Sequence, residues 1–152
     1  MSNNQSTSAK RVETEKGMEA ENPLAVLQEK ILTWTIKEIT PFGIKHEFNT
    51  EGETVGELYS AQHIETANVY IKYDGGGELE ARAIEITKEG EQLVLSYKGT
   101  GKRTGTTTIE YETQVFIVTS SPRLAQLNNL RIRTKGFLDI ATRDITIRYY
   151  MP

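Results

Sequence analysis

Residues 91–118 read EQLVLSYKGTGKRTGTTTIEYETQVFIV, and they contain two runs in which apolar and polar side chains alternate. Such a period of two is typical of β-strands that bury one face. The segment 99–105 between the runs is rich in glycine, which indicates a hairpin connection. The stretch therefore predicts two long antiparallel strands. Their shared faces carry Leu93, Leu95 and Tyr97 in the first run and Ile109, Tyr111, Thr113, Val115 and Ile117 in the second.

The same period continues over most of the chain from Ile31 onward. Turn residues such as Pro41, Glu51-Gly52 and Asp74-Gly75 divide it into segments. Closely spaced strands without long helices predict an all-β barrel or sandwich. We expect an antiparallel closed barrel of about eight strands, because closure removes exposed strand edges. The predicted strand segments are 31–39, 42–48, 55–60, 66–73, 78–87, 91–98, 106–118, 130–138 and 144–150.

The N-terminal part of the chain has a different composition. Residues 1–21 contain no Leu, Ile, Phe, Tyr or Trp, so we expect a disordered tail. Asn22-Pro23 is typical of a helix start and predicts a short N-terminal helix that ends near Glu29. A second helical signal begins at Ser121-Pro122. Residues 22–152 are predicted to form a single β-barrel domain.

Composition excludes several classes of function. The chain has 152 residues, a net charge of −3 and no cysteine, which excludes disulfides and thiolate metal sites. No apolar run approaches the roughly 20 residues of a membrane span, and the first residues lack the apolar segment of a secretory signal. We therefore expect a cytoplasmic protein with no membrane and no nucleic acid among its partners.

Two motifs that suggest chemistry fail on inspection. The loop 99–105 lacks the Gly-Lys-Ser/Thr of a phosphate-binding loop and precedes a strand instead of a helix. His46 and His63 show no metal-binding spacing, so we expect no metal and no cofactor. Arg131, Arg133 and Lys135 fit either a solvated charged face or an anion-binding patch, and we favour the first.

Aromatic residues on the predicted inward faces indicate either a filled core or the wall of a pocket. His46 lies on the apolar face of its strand, and Glu57 shares a face with Val55 and Tyr59, where it is expected to be partly buried. Tyr149 is also predicted to point inward. The predicted ligand-binding residues are Trp34, His46, Glu57, Tyr73, Tyr97 and Tyr111.

The layout resembles the small lipocalin-like barrels of the allene oxide cyclase-like superfamily, including its uncharacterised bacterial families. The resemblance covers about residues 31–150. It rests on VGELYSA (55–61), on GGGELEARAIEIT (75–87) with EQLVLSYKGTGKRTG (91–105), and on SSPRLAQLNNLRIRTKGFLD (120–139) followed by DITIRYY (144–150). It implies a barrel with an internal cavity, often in an oligomer, and it identifies no catalytic residues.

The predicted function is binding of a small hydrophobic molecule, with cyclase or isomerase activity as its enzymatic form. The alternative is a non-catalytic assembly module with a filled core. In that module, outward residues such as Tyr70, Phe116 and Val118 would form the interface of a homo-oligomer.

Overall fold

The computed structural model describes residues 22–152, which form one closed barrel. Its strands are antiparallel, each pairs with its neighbours in chain order, and the last pairs with the first. The predicted all-β barrel of eight strands is thus confirmed, whereas the predicted tail lies outside the described residues. The elements are β1 (Ala25–Ile39), β2 (Gly43–Gly56), β3 (Ser60–Lys72), β4 (Gly76–Thr87), β5 (Gln92–Arg103), β6 (Thr108–Thr119), a 3-10 helix (Pro122–Leu127), β7 (Ile132–Asp139) and β8 (Asp144–Tyr150).

The predicted N-terminal helix is wrong, because β1 already begins at Ala25. Ala25, Leu27, Glu29 and Ile31 alternate with more exposed residues and are all buried. The backbone of this segment pairs with β2 on one side and with β8 on the other. This double pairing closes the barrel and outweighs the local helix-start signal of Asn22-Pro23. Within residues 22–152, no helix is long and apolar enough to cross a membrane.

The predicted turn at Glu51-Gly52 is also wrong, because β2 continues through both residues. Gly52 is needed in the strand for a different reason. A Cβ atom at this position would lie 2.1 Å from the backbone oxygen of Gln28 and 2.6 Å from the Cβ of Glu29. Glycine in a strand interior often marks such a close approach of two backbones.

The two ends of the barrel differ. At one end the connection between β6 and β7 contains the 3-10 helix, whose Leu124 and Leu127 are buried. Arg123 holds this helix against the neighbouring strands and loops. Its guanidinium donates hydrogen bonds to the Leu58 backbone oxygen at 2.6 Å and to the Glu91 carboxylate at 3.1 Å. We call this the closed end. The connections that follow β1, β3, β5 and β7 lie at the other end, which we call the mouth.

Large and small side chains alternate around the interior. Tyr111 on β6 is the register partner of Gly136 on β7. A Cβ atom at Gly136 would lie 2.2 Å from the Tyr111 ring, so the ring covers the glycine directly. Small residues also occupy the inward face of β3 and β4, where Ala67 pairs with Ala81. These two strands therefore leave interior space that the tyrosines on other strands only partly fill.

The contact between Tyr111 and Gly136 leads to a first prediction. Gly136→Ala should lower the free energy of unfolding by about 1–3 kcal/mol, because the added methyl group displaces the tyrosine ring in a packed interior. Urea denaturation followed by circular dichroism measures this loss. In a Tyr111→Leu background the same change should have a clearly smaller effect. An equal loss in both backgrounds would contradict the explanation.

Candidate functional site

Four register partners on consecutive strands form a polar row across the barrel interior. Glu29 on β1 pairs with Gly52, Gly52 pairs with His63 on β3, and His63 pairs with Glu85 on β4. Gly52 has no side chain, so Glu29 and His63 meet across the space above it. Glu65 follows His63 by two residues and therefore points to the same side of β3.

His63 lies among three carboxylates. Its Nδ1 is 2.8 Å from Glu85 Oε2, its Nε2 is 2.9 Å from Glu65 Oε1, and Nε2 is 3.5 Å from Glu29 Oε2. His63 and Glu85 are fully buried, and Glu29 and Glu65 are 5% and 6% exposed. One ligand-type atom from each of Glu29, His63 and Glu65 lies within 4.8 Å of the others. We call Glu29, His63, Glu65 and Glu85 the buried acidic cluster.

Hydroxyl groups hold two of these carboxylates. Thr50 donates a hydrogen bond to Glu29 Oε2 at 2.7 Å. Tyr59 donates to Glu85 Oε1 at 2.6 Å, and Thr54 donates to the other oxygen of Glu85. Glu29 Oε1 is different, because it is buried and has no hydrogen-bond partner among residues 22–152.

The cluster raises the pKa values of Glu29 and His63, for different reasons. Burial, followed by the charge of Glu65, raises the pKa of Glu29 to about 8. Burial by itself lowers the pKa of His63, but hydrogen bonds to Glu65 and Glu85 and the charge of Glu29 outweigh it and raise that pKa to about 10. Burial also raises the pKa of Tyr59, next to the Glu85 carboxylate. The cluster thus retains protons at neutral pH.

A cavity connects this cluster with the mouth of the barrel. Its volume is about 50 Å³. The cavity is therefore narrow. Glu65 and Thr50 contribute to its wall, as do Tyr97 and Tyr111. The remaining wall is mainly apolar and includes Phe48, Ala67, Val69, Ile71, Leu79, Ala81, Ile109, Leu138, Ile145 and Ile147.

The structure brings only some of the predicted ligand-binding residues to this cavity. Tyr97 and Tyr111 line it. Trp34 donates a hydrogen bond to His46 Nδ1 at 2.8 Å, and both rings pack against Phe48. Phe48 lines the cavity, whereas Trp34 and His46 do not. Burial lowers the pKa of His46. A role for Trp34 and His46 in ligand binding stays a prediction.

Two expected positions are wrong. Tyr73 does not point inward, because β3 ends at Lys72 and the tyrosine lies in the following turn, 62% exposed. Glu57 is not partly buried, because Val55, which was expected to share its face, is itself 56% exposed and lies on the outer face of β2. Both residues lie outside the cavity lining.

The buried acidic cluster is not among the sites that the sequence predicts. Glu29 lies in the predicted N-terminal helix, and residues 61–65 lie between two predicted strands. The sequence does contain a signal that Glu85 points inward. Charged Glu80 and Arg82 indicate that the even-numbered residues of this strand face outward, so its odd-numbered residues face inward. His63 and Glu65 share a face for the same reason. Their meeting with Glu29, however, depends on strand register, which alternation does not supply.

Comparisons with known proteins identify the fold. No family model matches the chain, and no curated protein matches it. A protein of unknown function from Clostridium acetobutylicum has a similar structure, with a TM-score of 0.76 and 12% identity over 86% of this chain and 94% of its own. A conserved protein of unknown function from Rhodopseudomonas palustris is also similar, with a TM-score of 0.74 and 16% identity over 86% of this chain and 95% of its own.

An enzyme from Penicillium herquei is also similar, with a TM-score of 0.60 and 15% identity over 86% of this chain and 96% of its own. At these identities the comparisons show the barrel fold and no specific activity. The comparisons thus bear out the barrel fold of the resemblance, and membership of the allene oxide cyclase-like superfamily stays a prediction.

The hydroxyl of Tyr59 provides a test of the buried acidic cluster. Tyr59→Phe removes one donor from the buried Glu85 carboxylate and should lower the free energy of unfolding by about 1–3 kcal/mol. Tyr73→Phe is the matched control, because its exposed hydroxyl donates only to the Thr40 backbone oxygen at 3.2 Å. That change should alter stability by less than about 0.5 kcal/mol. Equal effects in urea denaturation would show that the Tyr59 hydrogen bond does not stabilise the cluster.

Proposed function

We propose that the barrel binds a small, mainly apolar molecule in its cavity, with a polar group of that molecule directed toward Glu65. The observation that carries this proposal is the cavity itself, which is open at the mouth, has apolar walls and ends at a carboxylate. Ligand sites commonly combine an apolar wall with a few polar groups that fix orientation. The alanines of β3 and β4 support the proposal, because larger residues there would fill the cavity.

The narrowness of the cavity restricts the class of ligand. A flat ring or a single hydrocarbon chain fits a slot of this kind better than a bulky polycyclic molecule. Gly75 in the turn between β3 and β4 and the first two glycines of β4 form part of the rim, together with Glu78 and Lys102. The rim thus offers charges of both signs for a polar group at the outer end of the ligand.

Cyclase or isomerase activity is the enzymatic form of this proposal. Such reactions rearrange a single substrate, and a rigid slot that holds a flexible chain in a reactive shape contributes much of the required acceleration. The enzyme from Penicillium herquei offers limited support, since a barrel of this fold is able to accommodate an active site.

The binding proposal is tested with N-phenyl-1-naphthylamine, a neutral apolar fluorophore whose emission rises in apolar surroundings. The wild-type chain should bind it with one saturable site. Ala81→Leu should weaken binding at least about tenfold, because the larger side chain occupies the cavity. Ala125→Leu makes the same change on the exposed side of the 3-10 helix and should have no effect. Absence of saturable binding, or equal binding by both variants, would contradict the proposal.

A second candidate function is assembly with a second copy of this chain, and a specific surface favours it. Ile64, Ile84, Val94 and Val118 are exposed register partners on β3 to β6. We call them the outer apolar row. With the nearby exposed Ile86 and Phe116, the row presents on the order of 500 Å² of apolar surface, which is comparable to the largest apolar patch of a typical monomer, and such patches often have a function.

Charge favours a second copy as the occupant of this row. Glu80 and Arg82 lie on the outer face of β4, in line with Ile84. In a two-fold contact each such pair occurs twice, so a glutamate of one copy is able to meet an arginine of the other. The same strand thus supplies both an apolar contact and complementary charges.

Light scattering after size-exclusion chromatography tests this assembly. The wild-type chain should elute at twice the mass of one chain. Val94→Glu should shift it to the monomer, because a buried unpaired charge at the centre of the row is unfavourable. Val55→Glu, at an exposed position outside the row, should leave the dimer intact. A wild-type chain that stays monomeric at high concentration would exclude this candidate.

A further inference from the structure

The spacing of atoms in the buried acidic cluster matches one metal coordination sphere. His63 Nε2 lies 2.9 Å from Glu65 Oε1 and 3.5 Å from Glu29 Oε2. Ligand bonds of about 2.1 Å to a single ion place neighbouring ligand atoms roughly 3 to 3.5 Å apart. The three side chains therefore need little movement to surround one cation.

Glu29 supplies an independent observation. Its side chain is fully buried next to His63, and its Oε1 has no hydrogen-bond partner among residues 22–152. A buried carboxylate oxygen without a partner is unfavourable, and such an oxygen in a native fold indicates a missing partner. A cation beside His63 Nε2 is a partner that the rest of the cluster is suited to hold.

Neighbouring side chains hold two of the three proposed ligands in position by hydrogen bonds. Glu85 bonds to His63 Nδ1 at 2.8 Å and so directs Nε2 toward Glu29 and Glu65. Metal-ligating histidines commonly bond to a carboxylate in this way through their other nitrogen. Thr50 fixes the carboxylate of Glu29 by a hydrogen bond of 2.7 Å.

The charge of the cluster also favours a cation. Within the described part of the chain, the ion pairs of Glu29, Glu65 and Glu85 are all with His63. Three carboxyl groups thus share one imidazole in a buried site, where unpaired negative charge is costly, and a proton on Glu29 limits that charge in the metal-free chain. A divalent ion takes the place of that proton and balances the charges of the two carboxylates Glu29 and Glu65, while Glu85 keeps its bond to His63 Nδ1.

We propose that Glu29, His63 and Glu65 bind one divalent first-row transition-metal ion at the inner end of the cavity. One imidazole nitrogen with two carboxylate oxygens suits such an ion better than Mg²⁺ or Ca²⁺, which prefer oxygen ligands alone. The ion replaces two protons, the one between His63 Nε2 and Glu65 and the one that the Glu29 carboxyl carries, and both protons pass to solvent.

This site also specifies the ligand, a step that rests on the proposed binding function. Glu65 lies on the cavity wall, so coordination positions that the chain leaves open face the cavity. A carboxylate, carbonyl or hydroxyl oxygen at the inner end of an apolar molecule is the group that would complete the coordination.

The test uses Zn²⁺ and Co²⁺ with the full chain after treatment with EDTA. Calorimetry should show one Zn²⁺ per chain, and bound Co²⁺ should give the visible absorption of a site with nitrogen and oxygen ligands. Glu29→Gln should weaken Zn²⁺ binding at least about 100-fold, since loss even of a supporting residue weakens such sites 10- to 100-fold. Glu57→Gln changes an exposed glutamate and should have no effect.

A second variant distinguishes the loss of a metal ligand from a general disturbance of the cluster. Tyr59→Phe leaves all three ligands in place and alters only the support of Glu85, so it should bind Zn²⁺ with at most about a tenfold loss. Circular dichroism establishes that each variant is folded. A folded wild-type chain that binds no Zn²⁺, or a folded Glu29→Gln variant with unchanged affinity, would overturn the site.

The two proposals fail separately in these experiments. Binding of the naphthylamine to the metal-free chain does not depend on the ion. If the fluorophore binds and Zn²⁺ does not, the metal site is overturned and the cavity proposal stands. If Zn²⁺ binds with the stated dependence on Glu29 and the fluorophore does not, the metal site stands and the cavity proposal is overturned.

Discussion

The contact between His63 and its three carboxylates is the interaction on which the rest of this barrel depends. Charged groups are stable inside a closed barrel only when each has partners, and the partners here come from four strands. Glu29 reaches His63 only because Gly52 leaves the space between them free. The register of β1, β2, β3 and β4 is therefore tied to the chemistry of one buried histidine, since a slip of one residue would turn these side chains outward.

The outside of the same strands shows a consequence of this arrangement. Because side chains alternate along a strand, turning His63, Glu65 and Glu85 inward turns Ile64 and Ile84 outward. Hydrophobic residues thus lie on the surface where polar residues occupy the interior. The outer apolar row and the buried acidic cluster are two faces of one pattern, and they link a candidate interface to a candidate site through the same backbone.

Sequence periodicity was sufficient for the architecture and insufficient for the site. Alternation in residues 91–118 predicts strands whose inward faces the structure bears out, from Leu93 to Ile117. It fails where a local signal competes with pairing to distant strands. Gly52 suggests a turn in the sequence, yet it lies within β2. The residue is glycine because β1 approaches this position so closely that a Cβ atom would not fit. His46 attracts attention through its apolar neighbours, whereas His63 becomes notable only when register brings Glu29 and Glu85 to it.

The cluster is an inefficient way to stabilise a barrel. Elsewhere in the interior, Leu27, Leu93, Leu95 and Val115 are fully buried and need no partner of opposite charge. Apolar side chains of similar volume at the positions of Glu29, His63, Glu65 and Glu85 would remove the desolvation penalty, and such replacements are often neutral or stabilising. One of the four, Glu65, also lies on the wall of a cavity that opens at the mouth. A polar centre that is unfavourable for packing and reaches the wall of a cavity is the combination expected of a functional site, which agrees with the proposed binding of a small molecule.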